Sequence, residues 1–315
     1  MKKYMKVLLV GVLALFIATG CDEANNDSDT FVIGYVTYNL NDTFLNFVIA
    51  AAEEAAEGYD LEIRVADARG ELLTQQDEVN ALIQAGVDGL IVVPVDTSGM
   101  GPIVTAATEA DIPLVFVNRN PFTDREDEMP HGVYFVGSQE ITAGILQMEL
   151  IGELLEGEGN VAIAMGTLGL ENTRGRTQGV RDTIENDFPG INILAEESAD
   201  FQRDQAITLT ENWISAHGDS LNAIIANNDE MALGALLAAQ QNNRDDILVI
   251  GIDATPDAMA SIEEGGLVGS VFQDAAGQGG GAVSVLNEIF NGSTPESVRW
   301  IPFQLITLDN IEDFQ

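Results

Sequence analysis

Seven planar hydrogen-bonding side chains stand where apolar runs give way to polar segments: Asp42, Asn118, Arg119, Arg176, Asn228, Asp253 and Gln273. Aspartate accepts from two neighbouring hydroxyls, arginine donates a flat fork, and asparagine or glutamine does one of each. Such a set can pair every hydroxyl of a polyol that has given up its water. It also discriminates, because a ligand lacking one hydroxyl leaves a buried partner unmet. Arg119 follows the run IPLVFVN, and Arg176 lies in TRGRTQG, read here as a loop. Taken singly, each arginine reads equally well as half of a surface ion pair. Phe44 and Phe201 suit the C–H faces of a ring, or else the core, with Tyr38 close by in sequence. Trp213 and Trp300 read as packing residues.

Two of these positions lie in consecutive units of the same kind. AIIANNDEM ends an apolar strand in Asn227 and Asn228 and opens a helix at Asp229 and Glu230, and LVIGID ends in Asp253 before a Thr-Pro-Asp helix start. The carboxyl ends of strands are where open α/β sheets hold ligands. Asp229 or Glu230 with Asp253 could form a carboxylate pair for glycoside hydrolysis, whereas the structural reading makes Asp229 and Glu230 helix caps. Other chemistries find less support. No lysine occurs after Lys6, so a phosphate-binding P-loop has no cation. A GxGxxA match in Gly277, Gly279, Gly280, Gly281 and Ala282 lacks an acidic strand end downstream, and close helix packing accounts for it. His131 and His217 are far apart and there is one cysteine, so neither a zinc site nor a serine-type triad is suggested, and no cofactor is expected.

The elements that must position these residues form a repeating series. FVIGYV, LEIRVA, DGLIVV and IPLVFV alternate with helical patterns such as LLTQQDEVNALIQAG, which stops at Gly86. Strands and helices in alternation predict a parallel sheet. After a loop at 120–132 the rhythm restarts with GVYFVG, NVAIAM, NILAEE, NAIIAN, ILVIGI and LVGSVF. Helices are expected at 139–156, 203–217 and 282–291, and VRWIPF reads as one further strand. Two doubly wound lobes fit this length better than one very wide sheet.

The ends and the charge narrow the setting. Lys2, Lys3 and Lys6 precede an apolar run from Val7 to Ala18, the pattern of a secretory signal over residues 1–20. Cys21 follows Thr19 and Gly20, resembles the lipid-modified cysteine of bacterial lipoproteins, and begins a polar tether at 21–30. An ordinary secretory signal with an incidental thiol is the alternative. Without its three lysines the chain has ten arginines against 51 acidic residues, and the formal charge moves from −38 to −41. That balance rules against nucleic-acid binding and argues against docking on anionic lipid.

The residues carrying most information about family are VNRNP (117–121), RTQGV (176–180), NNDEMALGA (227–235), GIDATPDA (251–258) and VFQDA (271–275). They resemble the ribose/galactose type of periplasmic sugar-binding proteins, whose core is shared with lac-repressor-type regulators. With the ending VRWIPFQLITLDNIEDF they are similar to myo-inositol-binding proteins in particular. The resemblance implies a type I periplasmic binding protein fold with two Rossmann-like lobes, 31–137 plus 274–302 and 138–273 plus 303–315, closing about a hinge. Asn118, Arg119, Arg176, Asn228, Asp253 and Gln273 match its sugar-contacting positions. It further implies a monomeric lipoprotein outside the cytoplasm, delivering a sugar or cyclitol to the permease and ATPase of an ABC importer and performing no chemistry. A DNA-binding regulator is disfavoured by the signal segment and the charge; a sugar-active enzyme and a chemotaxis receptor are the remaining readings.

So acidic a surface suits high salt, where screening relieves self-repulsion. The melting temperature is therefore expected to rise from low to molar salt; a flat dependence would overturn the halophilic reading.

Overall fold

Residues 30–123 and 125–314 are described in a computed structural model of the chain. The signal-like segment, Cys21 and the tether as far as residue 29 lie outside the described residues. From its amino end the chain forms β1 (Val32–Thr37), α1 (Thr43–Gly58), β2 (Glu62–Asp67), α2 (Leu72–Gln84), β3 (Gly89–Val92), α3 (Gly101–Glu109), β4 (Leu114–Val117) and β5 (Val133–Gly137). Next come α4 (Glu140–Leu154), β6 (Glu158–Met165), α5 (Glu171–Asp187), β7 (Gly190–Ser198), α6 (Arg203–His217), β8 (Ala223–Ala226) and α7 (Asp229–Gln241). The last elements are β9 (Leu248–Asp253), α8 (Pro256–Glu263), β10 (Gly269–Phe272), α9 (Ala275–Phe290), β11 (Val298–Trp300) and β12 (Gln304–Ile306).

Two six-stranded sheets result, ordered β11-β5-β4-β3-β1-β2 and β12-β10-β9-β8-β6-β7. Every pairing is parallel except β10 with β12. The central strands GLIV, LVFV and AIIA are buried throughout, as strands covered by helices on both faces must be. The edge strands β2 and β7 are only half-buried and carry the polar residues. In each sheet the order reverses beside the first strand, β1 or β6, which creates a crevice at the carboxyl ends of the strands.

The chain passes between the sheets three times. It leaves the first after Gly137, because α4 packs on β9, β10 and β12. It returns between Phe272 and Ala275, where α9 packs on α1, β4 and β5. A third passage joins β11 in the first sheet to β12 in the second.

Two sequence expectations about elements need correction. VRWIPF is not one strand: Pro302 has no N–H for a ladder, and the chain changes sheets between Trp300 and Gln304. Helix α9 begins at Ala275, not at 282, capped by Asp274 Oδ1, which accepts from Gly277 N at 2.7 Å. Its glycines are poor helix formers in isolation. Packing decides otherwise, since a methyl group at Gly279 would overlap the backbone of Val48 on α1. The same device brings α4 and α5 together, where a methyl at Gly144 would overlap the carbonyl oxygen of Arg176. Close packing is thus what the GxGxxA glycines do.

Candidate ligand-binding site

The ends of β1, β4, β8, β9 and β10 contribute polar side chains, and helix capping fixes two of them. Asp42 follows β1 and caps α1, its Oδ1 accepting from Leu45 N at 2.9 Å. Asn228 follows β8 and caps α7 by accepting from Met231 N at 3.0 Å. Each cap commits one oxygen and fixes the direction of the rest of the group. Asn118 and Arg119 follow β4; Asn118 Nδ2 donates to Gln278 Oε1 at 3.0 Å, and Gln278 Nε2 donates to Ser138 Oγ at 3.4 Å.

The two arginines are held differently. Arg176, 3 % exposed, donates from Nε to Glu140 Oε2 at 2.6 Å, from Nη1 to Asn227 O at 2.6 Å and from Nη2 to Gln273 Oε1 at 3.0 Å. Burial works against its charge, yet Glu140 and Asp253 together outweigh that cost and hold its pKa above the usual arginine value. Arg119, 1 % exposed, has no carboxylate partner: Nη1 donates to Pro94 O at 2.8 Å and the guanidinium lies 4.1 Å from the centre of the Tyr38 ring. Burial lowers its pKa, with Asp42 opposing. Its Nε is buried without a hydrogen-bond partner among the described residues, and so is Gln273 Nε2.

These groups meet. One tight cavity is lined by Asp42, Phe44, Asn118, Arg119, Arg176, Phe201, Asn228, Asp253 and Gln273, together with Leu45 and Asn172. Among the described residues nothing donates a hydrogen bond to the Asp253 carboxylate. Burial pushes its pKa well above the usual aspartate value, although Arg176 pulls the other way. Burial likewise raises Asp42, against the Leu45 hydrogen bond and the two arginines. Phe201 lies over Gly166, where a methyl would strike its ring. Three lining residues hold positive φ: Asn118 at 70°, Phe201 at 61° and Asp253 at 122°. For non-glycine residues each such conformation costs about 1–3 kcal/mol and survives only where surrounding contacts impose it.

Asn172 and Leu45 were not among the residues singled out from sequence. The segment TRGRTQG is not a loop but the interior of α5, which places Asn172 and Arg176 four residues apart on one helical face. That spacing was the signal, hidden by the loop reading. Asp229 is no cap either. It is fully buried, its Oδ2 accepting from Thr255 N at 2.8 Å and Thr255 Oγ1 at 3.2 Å and its Oδ1 from Ser270 Oγ at 2.7 Å. Glu230 instead pairs with Arg203 at 2.8 Å. Asp229 therefore ties α7 to the turn after Asp253 and to β10, and it does not reach the cavity. Trp213 is buried and donates to Glu197 at 2.8 Å, but Trp300 is 40 % exposed, on Phe135 by one edge only.

Two parallel α/β sheets, joined three times and meeting at a cavity of hydrogen-bonding groups and two phenyl rings, define a solute-binding protein. Residues 33–294 match the periplasmic binding protein domain, and the chain belongs to that family as a ribose/galactose-type sugar-binding protein. It is 37% identical over 315 residues to the "Putative rhizopine-binding protein" of Rhizobium meliloti, covering 99% of both chains. It is 30% identical to the ribose import binding protein of Bacillus subtilis, covering 98% of this chain and 99% of that one. An ABC transporter solute binding protein from Bacillus halodurans C-125, solved with bound myo-inositol, shares 40% identity at a TM-score of 0.84, over 92% of this chain and 98% of that one.

Asp229 generates a pH prediction. Burial pushes its carboxyl up to about 7, against hydrogen bonds from Ser270 and Thr255, with Glu230 adding to the rise. An unfolded aspartate gives up its proton near pH 4. Between about pH 4 and 7 the folded chain thus binds more protons than the unfolded one, and stability falls as pH rises. In urea denaturation at fixed salt, Asp229→Asn is expected to lose less stability over this range than the parent. Equal slopes would mean that Asp229 is ionised throughout.

Proposed function

We propose that the chain captures a cyclic polyol or monosaccharide, with myo-inositol as first candidate, and delivers it to an ABC importer. The observation that carries this reading is the composition of the cavity: two aspartates, two arginines, two asparagines at strand ends and a glutamine, with Arg119 Nε and Gln273 Nε2 buried and unpartnered. Donors and acceptors are both present, as a ring of hydroxyls requires. Phe44 and Phe201 supply apolar faces. The family and the myo-inositol-bound structure of the Bacillus halodurans protein support the choice of ligand.

In this reading the protein is a two-lobed clamp. One lobe is 31–137 with 274–302 and the other 138–273 with 303–315, and the three passages between the sheets act as the hinge. Asp42, Phe44, Asn118 and Arg119 reach the ligand from the first lobe; Arg176, Phe201, Asn228, Asp253 and Gln273 reach it from the second. Only a ligand bonded to both sides favours the closed form, so closure reports occupancy to the permease. Binding, not turnover, is the activity. The protein acts outside the cytoplasm, as a monomer held to a membrane by lipid on Cys21; among the described residues no helix is long and apolar enough to cross one.

Thermal shift and calorimetry with myo-inositol, ribose, xylose, galactose and glucose test the ligand. At a hundred times Kd the bound ligand should add about 2.7 kcal/mol to stability. Asp253→Ala, which removes the acceptor for two hydroxyls, should weaken binding about a hundredfold. No shift with any of the five would remove both the ligand and the site assignment. Radioactive fatty acid should label the parent chain and not Cys21→Ala; equal labelling would overturn the anchor.

A further inference from the structure

A second concavity abuts the first. Arg176 lines the inner cavity and its partner Glu140 lines a much larger groove of about 790 Å³, so their ion pair stands between the two. The groove runs between the segment after β4, with Asn120 and Thr123, and the amino-terminal part of α5, with Glu171 and Thr173. It therefore has one wall from each sheet's side of the molecule.

Three side chains on its walls are nine-tenths or more buried and carry a polar atom with no hydrogen-bond partner among the described residues. They are Asn120 Nδ2, Thr173 Oγ1 and Glu140 Oε1. Leaving such an atom unmet is costly, so each is a place where a ligand atom gains more than it loses in water. Asn120 Oδ1 and Glu140 Oε2 are already taken, by Phe122 N and Arg176 Nε. Asn120 offers a donor, Glu140 an acceptor, and Thr173 both. An anion would satisfy only the donors and an ammonium only the acceptors, whereas the hydroxyls of a saccharide satisfy all three. Glu171, pushed up to about 8 by burial and by Glu140, keeps its proton at neutral pH and adds a neutral carboxyl to the same wall.

The apolar part of the groove fits the same ligand. Trp300 and Ile141, each 40 % exposed, and Leu168, 65 % exposed, all lie on it. An indole face open to water is a platform for the C–H face of a sugar ring. We infer that this groove is a second carbohydrate site, separate from the inner cavity, which seats a disaccharide or glycoside between Trp300 and the polar wall of Asn120, Thr173 and Glu140. Its volume admits more than one ring, which the inner cavity does not.

Trp300 provides the readout. In a Trp213→Phe background it is the sole indole, and its fluorescence is titrated with maltose, lactose and sucrose, with and without saturating myo-inositol. At least one of the three should give a saturable change that myo-inositol does not compete away. Thr173→Val keeps the shape and removes only the hydroxyl, so it should weaken that binding about tenfold while raising the melting temperature and leaving the affinity for myo-inositol unchanged. A merely structural threonine would not separate these readings. If Trp213→Phe fails to fold, calorimetric stoichiometry on the parent chain replaces fluorescence, with a second set of sites expected. The inference is overturned if no disaccharide gives a saturable signal, if myo-inositol competes it away, or if Thr173→Val leaves it intact. Because the titration is also run without myo-inositol, failure of the inner cavity to bind that ligand leaves this test unaffected.

Discussion

Burying the guanidinium of Arg176 in a cavity wall sets the conditions for much of what surrounds it. A charge taken out of water must find partners for its donors, and here they come from three directions: Glu140 on α4, the carbonyl of Asn227 after β8, and the side chain of Gln273 after β10. Reaching Glu140 requires α4 and α5 to touch at backbone distance, which glycine at 144 permits. Reaching Gln273 turns that amide so that its oxygen faces the arginine, and its Nε2 is left without a partner. A buried ion pair of this kind stabilises little compared with apolar residues of similar size, so its contribution lies in orientation.

Across the cavity Arg119 is arranged on the opposite plan. A backbone carbonyl and the Tyr38 ring hold it, with no carboxylate to neutralise it. Its Nε is left without a partner, whereas each nitrogen of Arg176 already donates one hydrogen bond. The positive-φ residues belong to the same plan. Asn118, Phe201 and Asp253 sit at the turns where a strand ends, and the turn aims each side chain over the sheet edge. The Asp229 hub, holding Thr255 and Ser270 together, is what steadies the backbone around Asp253 and Ala254. Strain at the rim is sustained by hydrogen bonds one layer beneath it.

The parallel strands were legible because a strand buried on both faces must be apolar along its whole length, and the polar residue that ends such a run marks the rim. Asn118, Asp253 and Gln273 stand out for that reason. Arg176 was singled out for its chemistry but placed on a loop, since Gly175 and Gly179 lower the helix propensity of its segment. With the helix went Asn172, one turn away. Asp229 read as a cap because aspartate at a helix start usually is one, and only the approach of Thr255 and Ser270 from other elements gives it a buried role. The late start assigned to α9 has the same origin as the loop at 176: glycines chosen for contact look like breaks.

The sequence by itself determined the alternation of strands and helices, the polar identity of the strand ends and the acidity of the chain, all local properties of residue type and spacing. Tertiary structure alone decided that two sheets place those ends around one cavity, which arginine is neutralised and which is left without a carboxylate partner, and that TRGRTQG is helical. Each of these depends on groups far apart in the chain coming within hydrogen-bond or backbone-contact distance, a relation that no spacing along the sequence encodes.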